Sequence, residues 1–426
     1  MRSTCARVIA ALAILSLPTV AAAQPADEDE SSQVDPDDGG TVHESDEVIG
    51  PDGTETPPPD DEDPTAAPTD AAPTGNVGYD KGFFIKSDDG KFLLRIRSRV
   101  QPYLTMSRVK TPAADWLGAF EIRRARLVFE GNLHGDDLRY KFQTDFGKGN
   151  PTLKDYYADV RLGSGALWLR AGQWKRPFSR QQIASSGRLE LADRAITDKA
   201  FGAGRDLGIA LHNGYEDSPD IEWTVGVWNG TGDAATFDVT SGPVDEPVVT
   251  VSNVPREFKP VFIGRVGLNS GGIKGYSEAD LEGGPLRWAA AASFWAEADF
   301  DRNDVSSDKV QLDFVVKAQG FSTTGGLYAS TQQVGIHTLS DQELAYLGFH
   351  LQAGYLVTPT LQPVARFALL DDRNGKPGDV KEITIGASYY GWGHDAKVQG
   401  DVRFLKTGDG KFTDAILFQL GSNIGF

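Results

Sequence analysis

Residues 91–104 read KFLLRIRSRVQPYL. Arg95, Arg97 and Arg99 share one parity, whereas Phe92, Leu94, Ile96, Val100 and Leu104 share the other. Successive side chains of a β-strand point to opposite faces, so a strand here is cationic on one side and apolar on the other.

The same period of two returns down the chain. In LRYKFQTDF, Leu138, Tyr140, Phe142 and Phe146 alternate with Arg139, Lys141, Gln143 and Asp145. KVQLDFVVKAQ (309–319) and AKVQGDVRFLK (396–406) alternate in the same way. Sixteen such segments, from 92–106 to 414–426, are separated by Gly, Asn, Asp and Pro clusters, and no long amphipathic helix interrupts them. Short connections (HGDD, GSG) alternate with long ones (about 175–205 and 230–258), as the two rims of a transmembrane barrel do. NSGGIKGYSEADLEGG (269–284) falls on the short side and is too long for that pattern, which puts the count in question there. The last strand carries Ile416, Phe418, Leu420, Ile424 and Phe426 on one parity and ends the chain on an aromatic residue, like the assembly signal of bacterial outer-membrane barrels. Tyr103, Trp168, Trp174, Trp288 and Trp295 lie near strand ends and are expected in interfacial girdles.

The formal net charge of -18 is unevenly spread. Residues 1–23 have two arginines, an apolar run and then small residues, the pattern of a secretory signal peptide. Residues 24–76 hold 17 acidic residues and no Lys or Arg, too polar to bury a core and read as a disordered periplasmic tail. The remaining 77–426, a single barrel domain, carry 40 basic and 43 acidic residues. The single cysteine, Cys5, lies in the signal segment, so the mature chain has no thiolate nucleophile, disulfide or cysteine metal site. No segment approaches 18 consecutive apolar residues, so a membrane form must be a barrel. A large secreted β-sandwich would show the same alternation, with the apolar parity in a core. Loop asymmetry, terminal Phe426 and the missing cysteines favour an all-β transmembrane antiparallel barrel of about sixteen strands.

Enzyme readings find little support. His134, His212, His337, His350 and His394 show no metal-ligand spacing, and there is no GxSxG. GAGRDLG (202–208) lacks the strand-loop-helix context of a dinucleotide loop and reads as a turn into the sixth strand. No cofactor and no nucleic-acid partner are implied.

The stretches FIKSDDGKFLLRIRSRVQPYL, FEIRRARLVFEGNLHGDDLRYKFQTDFGKG, LKDYYADVRLGSGALWLRAGQWKRPFS and GRDLGIALHNG resemble, in order and spacing over residues 83–214, the phosphate-selective porin O and P family of outer-membrane channels. The RRAR strand and GQWKRPF are the most specific pieces, and the acidic tail is a departure from the family pattern. The resemblance implies a sixteen-stranded barrel, usually a homotrimer, with an arginine ladder for small anions such as phosphate and a constriction made by an inward-folded third loop. It also implies contact with outer-membrane lipid and the barrel-assembly machinery.

If apolar parities face lipid, the lumen receives Arg95, Arg97, Arg99, Arg126, Arg139, Lys141, Arg161 and Arg170. Arg123 and Arg124 are adjacent, and one residue of slip exchanges which of them turns inward. Guanidinium stays charged at any working pH and offers a planar fork to oxyanions, so a column of arginines gives an anion successive weak sites. The third long loop contributes Lys175, Arg176, Arg180, Arg188, Arg194, Lys199 and Arg205 against Glu190, Asp193 and Asp198, enough charge for a constriction or simply a solvated surface loop. Asp145, Asp155, Asp159, Asp313 and Asp401 share the lumen parity, so the arginines could instead form salt-bridge ladders that fill a polar interior. By resemblance, Asp145 beside the ladder would tune how tightly phosphate is held. The competing functions are therefore an anion-conducting porin, a weakly selective porin, and a barrel anchor whose acidic tail binds an envelope partner.

Overall fold

A computed structural model describes residues 76–109, 115–149, 151–202, 204–230, 237–241, 247–251, 260–298, 305–334, 343–373 and 378–426. Residues 1–75, the segments expected to be a signal peptide and all but the last residue of an acidic tail, lie outside the described residues.

Sixteen antiparallel strands make the wall: β1 (Leu93–Val109), β2 (Leu117–Leu133), β3 (Leu138–Asp145), β4 (Thr152–Arg161), β5 (Trp168–Lys175), β6 (Arg205–His212), β7 (Ile221–Trp228), β8 (Val261–Ser270), β9 (Arg287–Glu297), β10 (Lys309–Ala318), β11 (Phe321–Val334), β12 (Glu343–Tyr355), β13 (Leu361–Asp372), β14 (Val380–Trp392), β15 (Ala396–Thr407) and β16 (Ala415–Gly425). Each expected segment coincides with one of them, including the two that flank the long connection 271–286, so the count holds there too. β16 pairs with β1, from Ala415↔Val109 to Gly425↔Arg99, and closes the sheet. The C-terminal Phe426 exchanges two 3.0 Å backbone hydrogen bonds with Ser98. Closure leaves no edge in the wall, which is why strands can cross a bilayer at all.

Alternation does the sorting. Val100, Phe120, Ile122, Phe142, Phe262, Val266, Phe294, Leu312, Leu327, Phe367, Ile385, Leu420 and Phe426 are exposed on the outer surface. Their opposite parity carries Gln101, Arg126, Asp145, Asp159, Arg170, Arg265, Asp313, Arg366 and Arg403, all buried inside. An apolar outside and a polar inside is the inverse of a soluble sandwich and matches hydrocarbon as the outer solvent.

Three details depart from the sequence reading. Tyr103, Trp168, Trp174 and Trp295 are buried, pointing into the barrel instead of forming a girdle; of the five named aromatics only Trp288 is exposed, at 37%. Arginine explains three of the inward rings, because Arg123 lies 5.2 Å from the Tyr103 centroid, Arg139 4.3 Å from that of Trp168 and Arg176 4.5 Å from that of Trp295. Second, a short hairpin precedes the barrel: Val77–Tyr79 pairs with Phe83–Lys86, which pairs in turn with the start of β1. Third, a β-bulge interrupts the β1/β2 register between Gln101↔Arg124 and Pro102↔Ile122.

Close packing of a ring against bare backbone fixes one further position. Gly421 lies opposite Tyr103 across the β16/β1 pair, and a Cβ there would meet the ring at 2.7 Å. Overpacked sites typically cost about 1–3 kcal/mol, so Gly421→Val is expected to lower the denaturation midpoint of the folded barrel, read by the heat-dependent shift in gel mobility.

Candidate functional site

The bulge decides the Arg123/Arg124 question: both turn inward. An extra residue in one strand flips the parity beyond it, so Arg124 donates to Gln101 Oε1 at 3.1 Å while Arg123 reaches Asp193 Oδ2 at 2.7 Å. Arg126, two residues on, binds Asp145 at 2.8 Å. A single uninterrupted parity admits only one of the adjacent pair.

The remaining wall cations occupy the interior with unequal partners. Arg95 meets Asp80 of the N-terminal hairpin at 3.0 Å, and Arg97 meets Glu130 at 2.9 Å. Lys141 stands 3.9 Å from both Glu130 and Asp155. Arg139 and Arg161 flank the Trp168 ring, the latter at 4.7 Å. Arg170 is bidentate to Asp159 at 2.7 and 2.8 Å and lies 3.9 Å from the Tyr157 ring. Arg99 differs: its two Nη atoms donate to the Ser185 and Ser186 hydroxyls at 2.8 and 3.0 Å, and it meets no carboxylate among the described residues.

The third connection on the long-loop side, residues 176–204 between β5 and β6 (hereafter the third connection), is buried along most of its described length and bonds to inward-facing side chains far round the wall. Arg180 takes Asp313 of β10 at 2.8 Å. Glu190 accepts from Gln352 of β12 at 2.8 Å and Gln362 of β13 at 2.7 Å. Ile196 N donates to Glu382 of β14, and Ala192 N to Asp401 of β15, at 2.9 and 2.8 Å. Most of the cations of this connection are thereby engaged. Arg176 pairs with Asp206 at 3.2 Å and Arg205 with Asp155 at 2.7 Å, while Arg194 donates to the Gln181 carbonyl at 2.6 Å and lies 3.5 Å from Asp198. Among the described residues Lys175 donates only to the carbonyls of Ile183 and Ala184, at 2.9 and 2.8 Å. Arg188 is exposed within this buried segment, and its side chain has no partner among the described residues.

Two loop carboxyls are displaced in opposite directions. Burial opposes ionisation of Asp193, but Arg123 and Lys199 hold it well below the ordinary carboxylate range. Burial and then the neighbouring Glu278 carboxylate raise Glu190.

The opposite wall is charge-compensated. Arg265 binds Asp313 at 2.8 and 2.9 Å and Glu222 at 3.2 Å, and Arg366 and Arg403 both approach Glu382. A cavity of about 390 Å³ remains against β1–β5. Arg99, Arg126, Lys141, Lys175, Arg188 and Arg205 are among the cations that line it, opposed by Asp155, Glu216 and Asp395. No group of His, Cys, Asp and Glu among the described residues is arranged to hold a metal ion.

The sequence matches the profile of phosphate-selective porin O and P over residues 115–394, well over half of the chain. The chain belongs to this family. A porin O and P protein is a channel, not an enzyme, and this one is a porin of the bacterial outer membrane. Solved structures agree in fold. A loop-deletion mutant of the outer-membrane protein OmpT of Vibrio cholerae superimposes with a TM-score of 0.52 at 11% identity, covering 79% of this chain and 100% of its own. An anion-selective porin from Comamonas acidovorans gives 0.50 at 14% identity, covering 78% and 99%. The trimer form of OmpT gives 0.50 at 11% identity, covering 78% and 99%. Among curated proteins none matches the sequence.

Proposed function

We propose that this porin passively conducts small anions, with phosphate the favoured one, along the β1–β5 side of the lumen, and that the third connection narrows the path there. The observation that carries this reading is the set of four cations, Lys81, Arg99, Lys175 and Arg188, that line the cavity without a carboxylate partner among the described residues. A guanidinium held by hydroxyls keeps its charge available, whereas one held by a carboxylate is largely neutralised. The hydroxyls of Ser185 and Ser186 can rotate to donate to an oxyanion beside Arg99. In this reading Asp145, clamped by Arg126, holds that arginine in place and does not meet the ion itself. A homotrimer is part of the proposal, supported by the trimer form of a structural neighbour.

The test is single-channel current of the refolded protein under a chloride gradient, then with phosphate added. A reversal potential on the anion side and block of chloride current by phosphate are expected. The ion pairs of the opposite wall favour a second reading, a general porin whose arginines only fill the interior; a large conductance without selectivity would establish it.

A further inference from the structure

Residues 271–286 join β8 to β9 with sixteen residues, on a rim where the other connections between barrel strands have two to eight. Ile273, Tyr276, Ser277, Glu278, Ala279 and Asp280 are buried, so the extra length enters the barrel instead of spreading over the rim. It bonds to the wall on several sides. The Tyr276 hydroxyl donates to Glu222 of β7 at 2.6 Å, Gly320 N donates to Asp280 at 2.8 Å, and the Ser277 hydroxyl lies 3.0 Å from His394 Nε2 in the β14–β15 turn.

It also holds the third connection. Arg180 Nη1 donates to the Gly275 carbonyl at 2.9 Å. Glu278 brackets Leu189: its backbone N–H donates to Arg188 O at 3.1 Å, and its carboxylate accepts the Glu190 N–H at 2.8 Å. The same carboxylate accepts from Gln181 at 3.2 Å and from Gln352 of β12 at 2.9 Å. A segment from the short-turn rim and one from the opposite rim therefore meet inside the barrel at one buried carboxylate. The residue next to that junction, Arg188, is an exposed cation of the cavity.

We propose that residues 271–286 are a second pore-narrowing element, which clasps the third connection through Glu278 and confines the open path to the β1–β5 side, with Glu278 the positioning residue for Arg188. The narrowing part is independent of which ions pass. The part concerning Arg188 rests on the anion path proposed above.

Glu278 makes the clasp with uncharged groups, the Arg188 carbonyl, the Glu190 N–H and the Gln181 and Gln352 amides, so it fixes position more than charge. Removing the carboxylate leaves the Glu190 N–H and the Gln181 amide without that acceptor inside the barrel, a cost the segment relieves by moving away. Glutamine at 278 keeps an acceptor for the Glu190 N–H; alanine does not.

The test compares full-length protein with three variants: residues 272–286 replaced by Asn-Gly, which favours a tight hairpin, Glu278→Ala and Glu278→Gln. Folding is checked by heat-dependent gel mobility, conductance in planar bilayers, and pore size by liposome swelling with neutral sugars of increasing size. The replacement is expected to raise conductance severalfold and admit larger sugars. Glu278→Ala is expected to raise conductance and lower anion preference together, and Glu278→Gln to restore both. Unchanged conductance and sugar limit in a folded replacement variant would overturn the narrowing role. Should that variant not fold, the same result in folded Glu278→Ala overturns it. If Glu278→Gln raises anion preference at constant conductance, Glu278 acts through its charge and the positioning role is wrong. A wild-type channel without anion preference would defeat the anion path but leave the sugar comparison intact.

Discussion

Arg99→Ala is expected to lower the chloride-to-potassium permeability ratio about tenfold while the barrel folds normally. A unit charge about 5 Å from a permeating anion is worth about 3 kcal/mol at an effective dielectric constant of about 20. Mobile salt with a screening length of about 8 Å, and the other cations of the cavity, take roughly half of that, leaving about the 1.4 kcal/mol of a tenfold change. Folding is spared because Arg99 leaves only two serine hydroxyls behind, and these turn to other partners or water. Arg99→Lys separates charge from shape. It keeps a point charge and loses the fork, so the reversal potential should hold while phosphate block weakens. A ratio unchanged in Arg99→Ala would remove Arg99 from the path.

How much of this was visible beforehand depends on the range of the interaction. The sixteen strands were legible because hydrocarbon outside and polar groups inside impose a period of two that each segment records locally. The bulge also left a local trace: Phe120 and Ile122 are apolar on even numbers, whereas Leu127 and Phe129 are apolar on odd ones. That change of parity places Arg123 and Arg124 both inside, which the adjacent charges by themselves do not show. Pairing was not legible. Asp159 neutralises Arg170 because register sets them directly opposite, and Asp313 neutralises Arg265 from a strand two places away. The inward aromatics misled for a related reason, since a tryptophan near a strand end looks interfacial until the arginine over its ring is known. The excess length of 271–286 was visible in the sequence as an anomaly of the turn pattern, but its contacts with the third connection were not.

Arg265→Ala is the complementary experiment, with a large effect on stability and almost none on selectivity. The Arg265 side chain is fully buried, contacts Asp313, Glu222, Tyr276 and Ser293, and lies outside the cavity lining. Removing one partner of a buried pair costs about 3–5 kcal/mol because the other charge stays behind unpaired. The low end is expected here, since Arg180 still meets Asp313 at 2.8 Å and the Tyr276 hydroxyl still donates to Glu222. The folded band should therefore convert to the unfolded one at a clearly lower denaturant concentration. The permeability ratio should stay within about twofold of wild type, because Arg265 lies outside the cavity lining and the Arg180 guanidinium remains beside the carboxylates left behind. The two variants together locate the conducting face. Loss of selectivity in Arg265→Ala equal to that in Arg99→Ala would mean that ions pass along β8–β10 as well, and that compensated and uncompensated arginines do the same work.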